Sequence, residues 1–522
     1  MLITTMTNTG RRVCWLPLAM VLLLLTGCTH VVVREHHTSL ESMEARETWL
    51  GKQAAQALDT QSEPDGFGLL ANGQAAFAVR VGLIRQAQKT LDIQTYLLGG
   101  GQTTQLVFSQ LVEAAAQGVR IRLLVDDIGA VGQGERLAAL ASHPNIYVRV
   151  YNPLSAGRGH IVTRVLASVV NPAQQHRRMH NKLWIADGSV AILGGRNLGD
   201  EYFDANASRN FADLDLVSVG EVVPMLSGSF DLYWNHGLAQ PIERYHHVAV
   251  NAWQPLKADV DTWLDSHADS TYFNELRRQT RNAPPWETLH WGEGVALWDA
   301  PGKLAQSGTP EWQSTLLGDL TAATTLDERL VLISAYFVPT QQGVERLVAL
   351  AEQGVEVDIL TNSLEATDAA VVHGAYAPWR STLLESGVAL YELRPEQESS
   401  STSDEHEMRV PGASASALHI KAIRFDDQLF IGSFNADPRS VLWNTEVGVL
   451  VSSESLMQAF DELVEIGREP SISYQVVLDD SGRLNWLLER DGQPEVLTDE
   501  PGSWWRHLSA WLSHTLRFER WL

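Results

Sequence analysis

Two stretches of this 522-residue chain repeat one another, and the repeat constrains the fold more than any other feature. LVEAAAQGVRIRLLVDD (111–127) matches LVALAEQGVEVDILTNS (347–363) at a shift of 236, Tyr96 lies 240 before Tyr336, and His180 lies 239 before His419. Each copy reads in one order: a strand (91–98; 330–338), a helix (103–117; 340–353), a strand (119–125; 355–361), then a hairpin that starts on a histidine. Strands alternating with helices imply an α/β sheet with helices packed on it. The expected architecture is therefore two pseudo-repeated lobes, each a β-sheet flanked by helices, with a site at the lobe interface.

The hairpins carry the chemistry. His180-Asn-Lys182 is followed by Asp187, Gly194-Gly195 and Asn197; His419-Ile-Lys421 is followed by Asp426, Gly432-Ser433 and Asn435. In HNKLWIADGSVAILGG the apolar run 183–185 reads as a strand, Asp187-Gly188 as a tight turn, and 190–193 as the return strand. The second copy is one residue shorter in the turn. Residues two apart on a strand share a face, so each His and its Lys point the same way. A buried His and Lys on one face are costly unless they have a task.

This pattern resembles the phospholipase D superfamily, whose two His-Lys-Asp motifs meet at one active site. The likeness spans most of residues 65–522. LTNSLEATDAAVVHGAYAPWR (360–380), ALYELRPE (389–396), IGSFNADPRS (431–440) and NTEVGVL (444–450) are similar to bacterial cardiolipin synthases, the C type in particular. Such a resemblance implies transfer of a phosphatidyl group to phosphatidylglycerol through a phosphohistidine. Hydrolysis of phospholipids to phosphatidic acid by the same fold stays open as an alternative. So does a non-catalytic lipid-anchored binding protein, although both motifs are intact.

Phosphodiesters resist attack because their anionic oxygens repel nucleophiles, and fixed donors must neutralise that charge. Lys182, Lys421, Asn197 and Asn435 are suited to this. One neutral imidazole attacks phosphorus while the other, protonated, supplies the leaving alkoxide with a proton. The residues leave open which histidine attacks; the resemblance favours His180. It also pairs His180 with Glu446 and His419 with Asp213, each acid serving the opposite lobe, with Asp215 a rival for Asp213. Asp187 and Asp426, the last members of the motifs, are expected to be structural, through salt links. Asp368, His373, Tyr376 and Arg380 recur along a helix at 368–385 and are candidates for holding a lipid headgroup, against the alternative of a solvated face. Arg177 and Arg178 flank His180 and are candidates for attracting phosphate. No metal-ligand spacing stands out, and the mechanism calls for no metal or cofactor.

Net charge is −24, which argues against nucleic acid as substrate. Arg11-Arg12, an apolar stretch from Trp15 to Leu25, and Leu25-Thr26-Gly27-Cys28 read as a lipoprotein signal (1–27), and the resemblance to a lipoprotein box implies an acylated Cys28. Such a protein would sit in the bacterial cell envelope, membrane-anchored and facing the periplasm. Residues 28–64 suit a tether, 65–234 the first lobe, 235–290 a connecting segment, 291–470 the second lobe, and 471–522 an extension. Within that extension Trp504, Leu508, Leu512, Leu516 and Trp521 fall near helical spacing, which suits either a membrane interface or a docked terminal helix.

Overall fold

The computed structural model describes residues 36–154, 176–280, 284, 286–306, 308–395 and 417–515. The expected leader with Cys28, the Ser/Glu-rich stretch 396–416 and residues 516–522 lie outside them.

The two lobes repeat strand for strand. In the first, Thr90–Thr95, Arg120–Asp126 and Ile146–Tyr151 run parallel. On the other side of Thr90–Thr95 come four antiparallel neighbours in turn: Leu183–Ala186, Val190–Gly194, Asp215–Gly220 and Asp65–Leu70. The second lobe sets Arg329–Ser334, Glu356–Asn362 and Ala389–Leu393 parallel, flanked by Lys421–Phe425, Gln428–Gly432, Val447–Ser452 and His290–Trp298. Parallel neighbours require a crossover, and the helices Gln102–Ala116 and Thr340–Glu352 supply the equivalent one in each lobe. Both end on the repeated Gln-Gly-Val. Gly118 and Gly354 each take φ of +95°, the left-handed turn that lets the next amide bond back into the helix.

His290–Trp298 ties the lobes together. Its first residues pair with Asp65–Phe67 and the rest with Val447–Ser452, so 18 strands form one continuous sheet. A single apolar cluster also runs across both lobes, including Phe67, Leu183, Leu216 and Phe230 from one and Val331, Leu429, Val449 and Phe460 from the other. At roughly 1.5–3 kcal/mol for each large side chain removed from water, that shared core makes the lobe contact permanent. Residues drawn from both sides of it are held rigidly.

Three boundaries differ from the sequence reading. From residue 36 onward the expected tether is folded. Ser42–Glu47 and Trp49–Leu58 are helices, Thr48 caps the second by accepting from Gly51 N, and Leu50 is fully buried. Buried Arg122 holds the preceding segment through Ser39 Oγ (2.9 Å) and the His37 carbonyl (3.1 Å). The polar composition of this stretch belongs to its outward face. The connecting segment belongs to the first lobe: Ala239–Pro241 extends that sheet, and Phe273 and Leu276 join its core. The extension likewise begins as sheet, with Ser473–Leu478, Leu484–Arg490 and Gln493–Leu497 added to the second lobe.

Candidate active site

The motif hairpins form as their sequences imply. Ala186 pairs with Val190 across three residues, and Phe425 with Gln428 across two. Asp187 and Asp426 open these turns with φ of 50° and 45°. Neither lies with the histidines. Asp187 accepts from the amides of Gln88, Lys89 and Thr90 (2.7–2.9 Å), and Asp426 from those of Asp327, Glu328 and Arg329 (2.8–2.9 Å). Each carboxylate thus pins its hairpin to the start of the lobe's first strand. Their side chains engage backbone amides rather than the salt links expected.

The histidines meet by a crossed exchange of backbone. Met179 bridges Thr445 in parallel, and Ala417-Leu418 pairs in parallel with Phe211-Ala212. His180 N therefore donates to the Thr445 carbonyl (2.9 Å), and His419 N to the Ala212 carbonyl (2.7 Å). The next residue on each partner strand is the acid. His180 Nδ1 lies 2.9 Å from Glu446 Oε2, and His419 Nδ1 2.7 Å from Asp213 Oδ2. A carboxylate accepts the Nδ1 proton in both cases, which leaves each Nε2 as the reacting nitrogen. The rival Asp215 is taken by Arg80 (2.8 Å) and Arg196 (3.3 Å).

Both lysines are buried, and each Nζ donates to the carbonyl of its own histidine at 2.7 Å. Burial pulls Lys182 down to about 7, against the attraction of Glu446, and lowers Lys421 as well. Burial, then Lys182 and Lys421, hold His180 well below the usual imidazole range. Burial and Lys421 lower His419 too, with Asp213 opposing them. The acids diverge. Burial raises Glu446 to about 7, whereas for Asp213 burial is outweighed by His419, Lys421 and Arg196 together, so it ends below its ordinary value. Crowding and burial therefore disfavour the charged forms of both imidazoles and both ammonium groups, and an anionic phosphate among them would favour those charged forms.

The asparagines differ as well. Asn197 accepts from Leu97 N and donates to the Tyr202 hydroxyl (2.8 Å), whose ring lies 5.1 Å from that of His419. Asn435 is buried, and its Oδ1 has no hydrogen-bond partner among the described residues. Sequence reasoning missed Ser433, whose hydroxyl donates to Glu446 Oε2 and accepts from Val447 N. The Gly-Gly against Gly-Ser difference between the copies was its signal. Also missed was the Tyr96 ring, 5.0 Å from that of His180.

The other candidates fall elsewhere. Arg178 is buried at Asp126 (3.4 Å), and Arg177 donates to the Gly308 carbonyl (3.0 Å), so neither is committed to phosphate. Of the 368–380 group, only Asp368 is exposed, accepting from the Tyr336 hydroxyl at 2.8 Å. His373, Tyr376 and Arg380 are buried, which overturns the solvated-face alternative. Arg380 bonds Glu392 (2.7 Å) and Glu500, and His373 Nε2 lies 2.7 Å from Glu500. Their spacing put them on one side of a helix, but that side faces the protein.

Two repeated lobes with a crossed pair of His–carboxylate contacts define a phospholipase D-like protein. The family model described as "Cardiolipin synthase, PLD-like domain" matches residues 81–221 and 317–465. The chain is 38% identical over 460 residues to cardiolipin synthase C of Escherichia coli (strain K12), covering 86% of this chain and 94% of that protein. It is 22% identical over 435 residues to a cardiolipin synthase of Staphylococcus aureus (strain N315), covering 82% and 72%. Phosphatidylserine synthase from Haemophilus influenzae Rd KW20 shares the fold, with a TM-score of 0.52 at 13% identity over 81% of this chain and 91% of that one. The chain belongs to the cardiolipin synthase family of phospholipase D-like enzymes.

Proposed function

We propose that this enzyme is a phosphatidyltransferase that makes cardiolipin. The crossed His180–Glu446 and His419–Asp213 contacts carry the reading, because each engages Nδ1 with an acid of the opposite lobe and brings each imidazole within electrostatic reach of the other lobe's lysine. His180 Nε2 attacks the phosphorus of a donor phospholipid, forming a P–N bond as the P–O bond to the headgroup alcohol breaks. His419, as imidazolium, gives that alkoxide its proton. His419 then takes the proton of a phosphatidylglycerol hydroxyl, whose oxygen attacks phosphorus and releases His180. Lys182, Lys421 and Asn435 balance the charge on the phosphoryl oxygens.

His180 suits the nucleophile because burial and two ammonium groups favour its neutral form. His419 suits the acid better than His180 because the Asp213 carboxylate opposes the lowering by burial and Lys421, whereas the main influences on His180 all favour its neutral form. A net charge of −24 argues against nucleic acid as substrate, and an acylated Cys28 would hold the enzyme at its substrate in the cell envelope.

The test is incubation of purified protein with phosphatidylglycerol vesicles, with and without phosphatidylethanolamine. Cardiolipin is the expected product, and release of ethanolamine rather than glycerol alone identifies the donor. Phosphatidic acid as the sole lipid product replaces transfer with hydrolysis.

A further inference from the structure

The extension ends in a helix, Trp504–Thr515, with two unlike faces. Arg506, Ala510 and Ser513 turn inward. A Cβ on Gly374 would lie 2.3 Å from the Ala510 carbonyl, so this helix and Ala370–Tyr376 touch backbone to backbone. Ser513 Oγ donates to the Val371 carbonyl (2.6 Å), and Arg506 to the carbonyls of Leu364 (3.1 Å) and Thr367 (2.6 Å). Trp504, Trp505, Leu508, Trp511 and Leu512 form the opposite stripe. The three tryptophans there are 59–64% exposed and the two leucines 37–41%. A firmly docked helix that turns its aromatic stripe to solvent marks an interaction surface.

The stripe is coupled to the catalytic cleft through buried groups. Leu418, the residue before His419, exchanges two hydrogen bonds with the Asn362 side chain (2.8 and 2.9 Å). His373 Nδ1 lies 3.2 Å from the Asn362 carbonyl, and its Nε2 reaches Glu500, four residues before the helix. The segment after Asn362 carries Asp368 out to Tyr336 near Lys421, and Arg506 clamps that same segment.

We propose that this stripe rests on an anionic phospholipid bilayer and sets the His419 side of the cleft at headgroup level. The inference builds on the lipid-substrate reading above. Tryptophan is the side chain best suited to the interface, with an apolar ring and a polar N–H. Charge agrees in the sequence: besides the inward Arg506, residues 503–522 hold two arginines against one glutamate in a chain whose net charge is −24. Buried His373, Tyr376 and Arg380 then have a role, which is to fix the lipid-facing helix to the lobe that carries His419.

The test compares the wild-type full-length enzyme with Trp504→Ser/Trp505→Ser/Trp511→Ser on two forms of phosphatidylglycerol: long-chain in vesicles and short-chain as monomers. Activity on vesicles is expected to fall about tenfold or more, with monomer turnover unchanged. Equal activity on vesicles, or an equal fall on both substrates, overturns the proposal. Binding is read separately on Cys28→Ser protein, free of any acyl anchor. Vesicles containing phosphatidylglycerol should sediment it and pure phosphatidylcholine should retain much less; equal retention, or a dimer in ultracentrifugation that the tryptophan variant loses, also overturns it. A wild-type enzyme that binds anionic vesicles yet turns over neither lipid form contradicts the function assigned above while upholding the docking surface.

Discussion

The two halves of the site share a backbone and differ in how each holds its acid. Glu446 takes a hydroxyl from Ser433, whereas Asp213 sits against Gly195, where a Cβ would fall 2.0 Å from Asp213 Oδ1. The shorter acid fills the space a side chain would need, and the longer acid leaves room for a serine. Neighbouring positions diverge too. Arg196 and Asp215 form a buried ion pair in the first half, where the second half has Phe434 and Gly448. Asn197 is engaged by Tyr202, while Asn435 Oδ1 has no partner among the described residues. Repetition thus supplies the crossed scaffold, and divergence supplies two imidazoles in unlike surroundings, which is what one nucleophile and one acid need.

Removing either ring is the harshest probe of that division. His180→Ala and His419→Ala should each cut turnover of natural phospholipid by about 10⁴-fold or more. Appreciable activity in either means that the halves do not act as a unit. Next comes the acid's setting. Gly195→Ala drives a methyl into Asp213, and kcat should fall on the order of 100-fold. Ser433→Ala removes one donor from Glu446, and a fall of about tenfold is expected. The reverse order would mean that Glu446, not Asp213, is the more tightly held acid.

The motif aspartates extend the comparison to stability. Asp187 is fully buried and Asp426 partly exposed, though each accepts three amides. Asp187→Ala should cost about 2–4 kcal/mol in denaturant unfolding and Asp426→Ala about 1–2, with kcat retained in the folded fraction. Equal losses would show that exposure does not matter here. The smallest effect is in pH. Glu446, raised to about 7, gains its charge as pH rises, and Lys182, lowered to about 7, loses its charge over the same range. The kcat/KM profile should therefore be a narrow bell near neutrality, with loss of the lowered His419 imidazolium adding to its alkaline limb, while Asp213, shifted down, adds no limb there. A flat profile from about pH 5 to 9 would contradict this assignment.

Much of this was legible in the chain. The repeat gave the lobes, since helix and strand periods and the Gln-Gly-Val turn recur at one shift. The His-x-Lys pattern put both side chains on one face because strand geometry is local. Less legible was anything set by tertiary burial. Helical spacing showed that His373, Tyr376 and Arg380 share a side but not that the side faces inward, because Glu500, the partner of His373 and Arg380, is 120 or more residues away. Residues 36–58 read as a tether because their few apolar groups, such as Leu50 and Ala54, are enough to dock two short helices. Ile146–Tyr151 and Ala389–Leu393 went unnoticed as the third parallel strands, being short runs without a motif beside them.

The central claim is that His180 forms the covalent bond and His419 manages the protons. A phosphatidyl ester of p-nitrophenol tests it directly, because its leaving group departs without an acid. His419→Ala should release one equivalent of p-nitrophenol per active site and then stall, with the phosphatidyl group on His180 by peptide mass, while His180→Ala releases none. A burst from His180→Ala, or a label on any residue other than His180, would contradict the account.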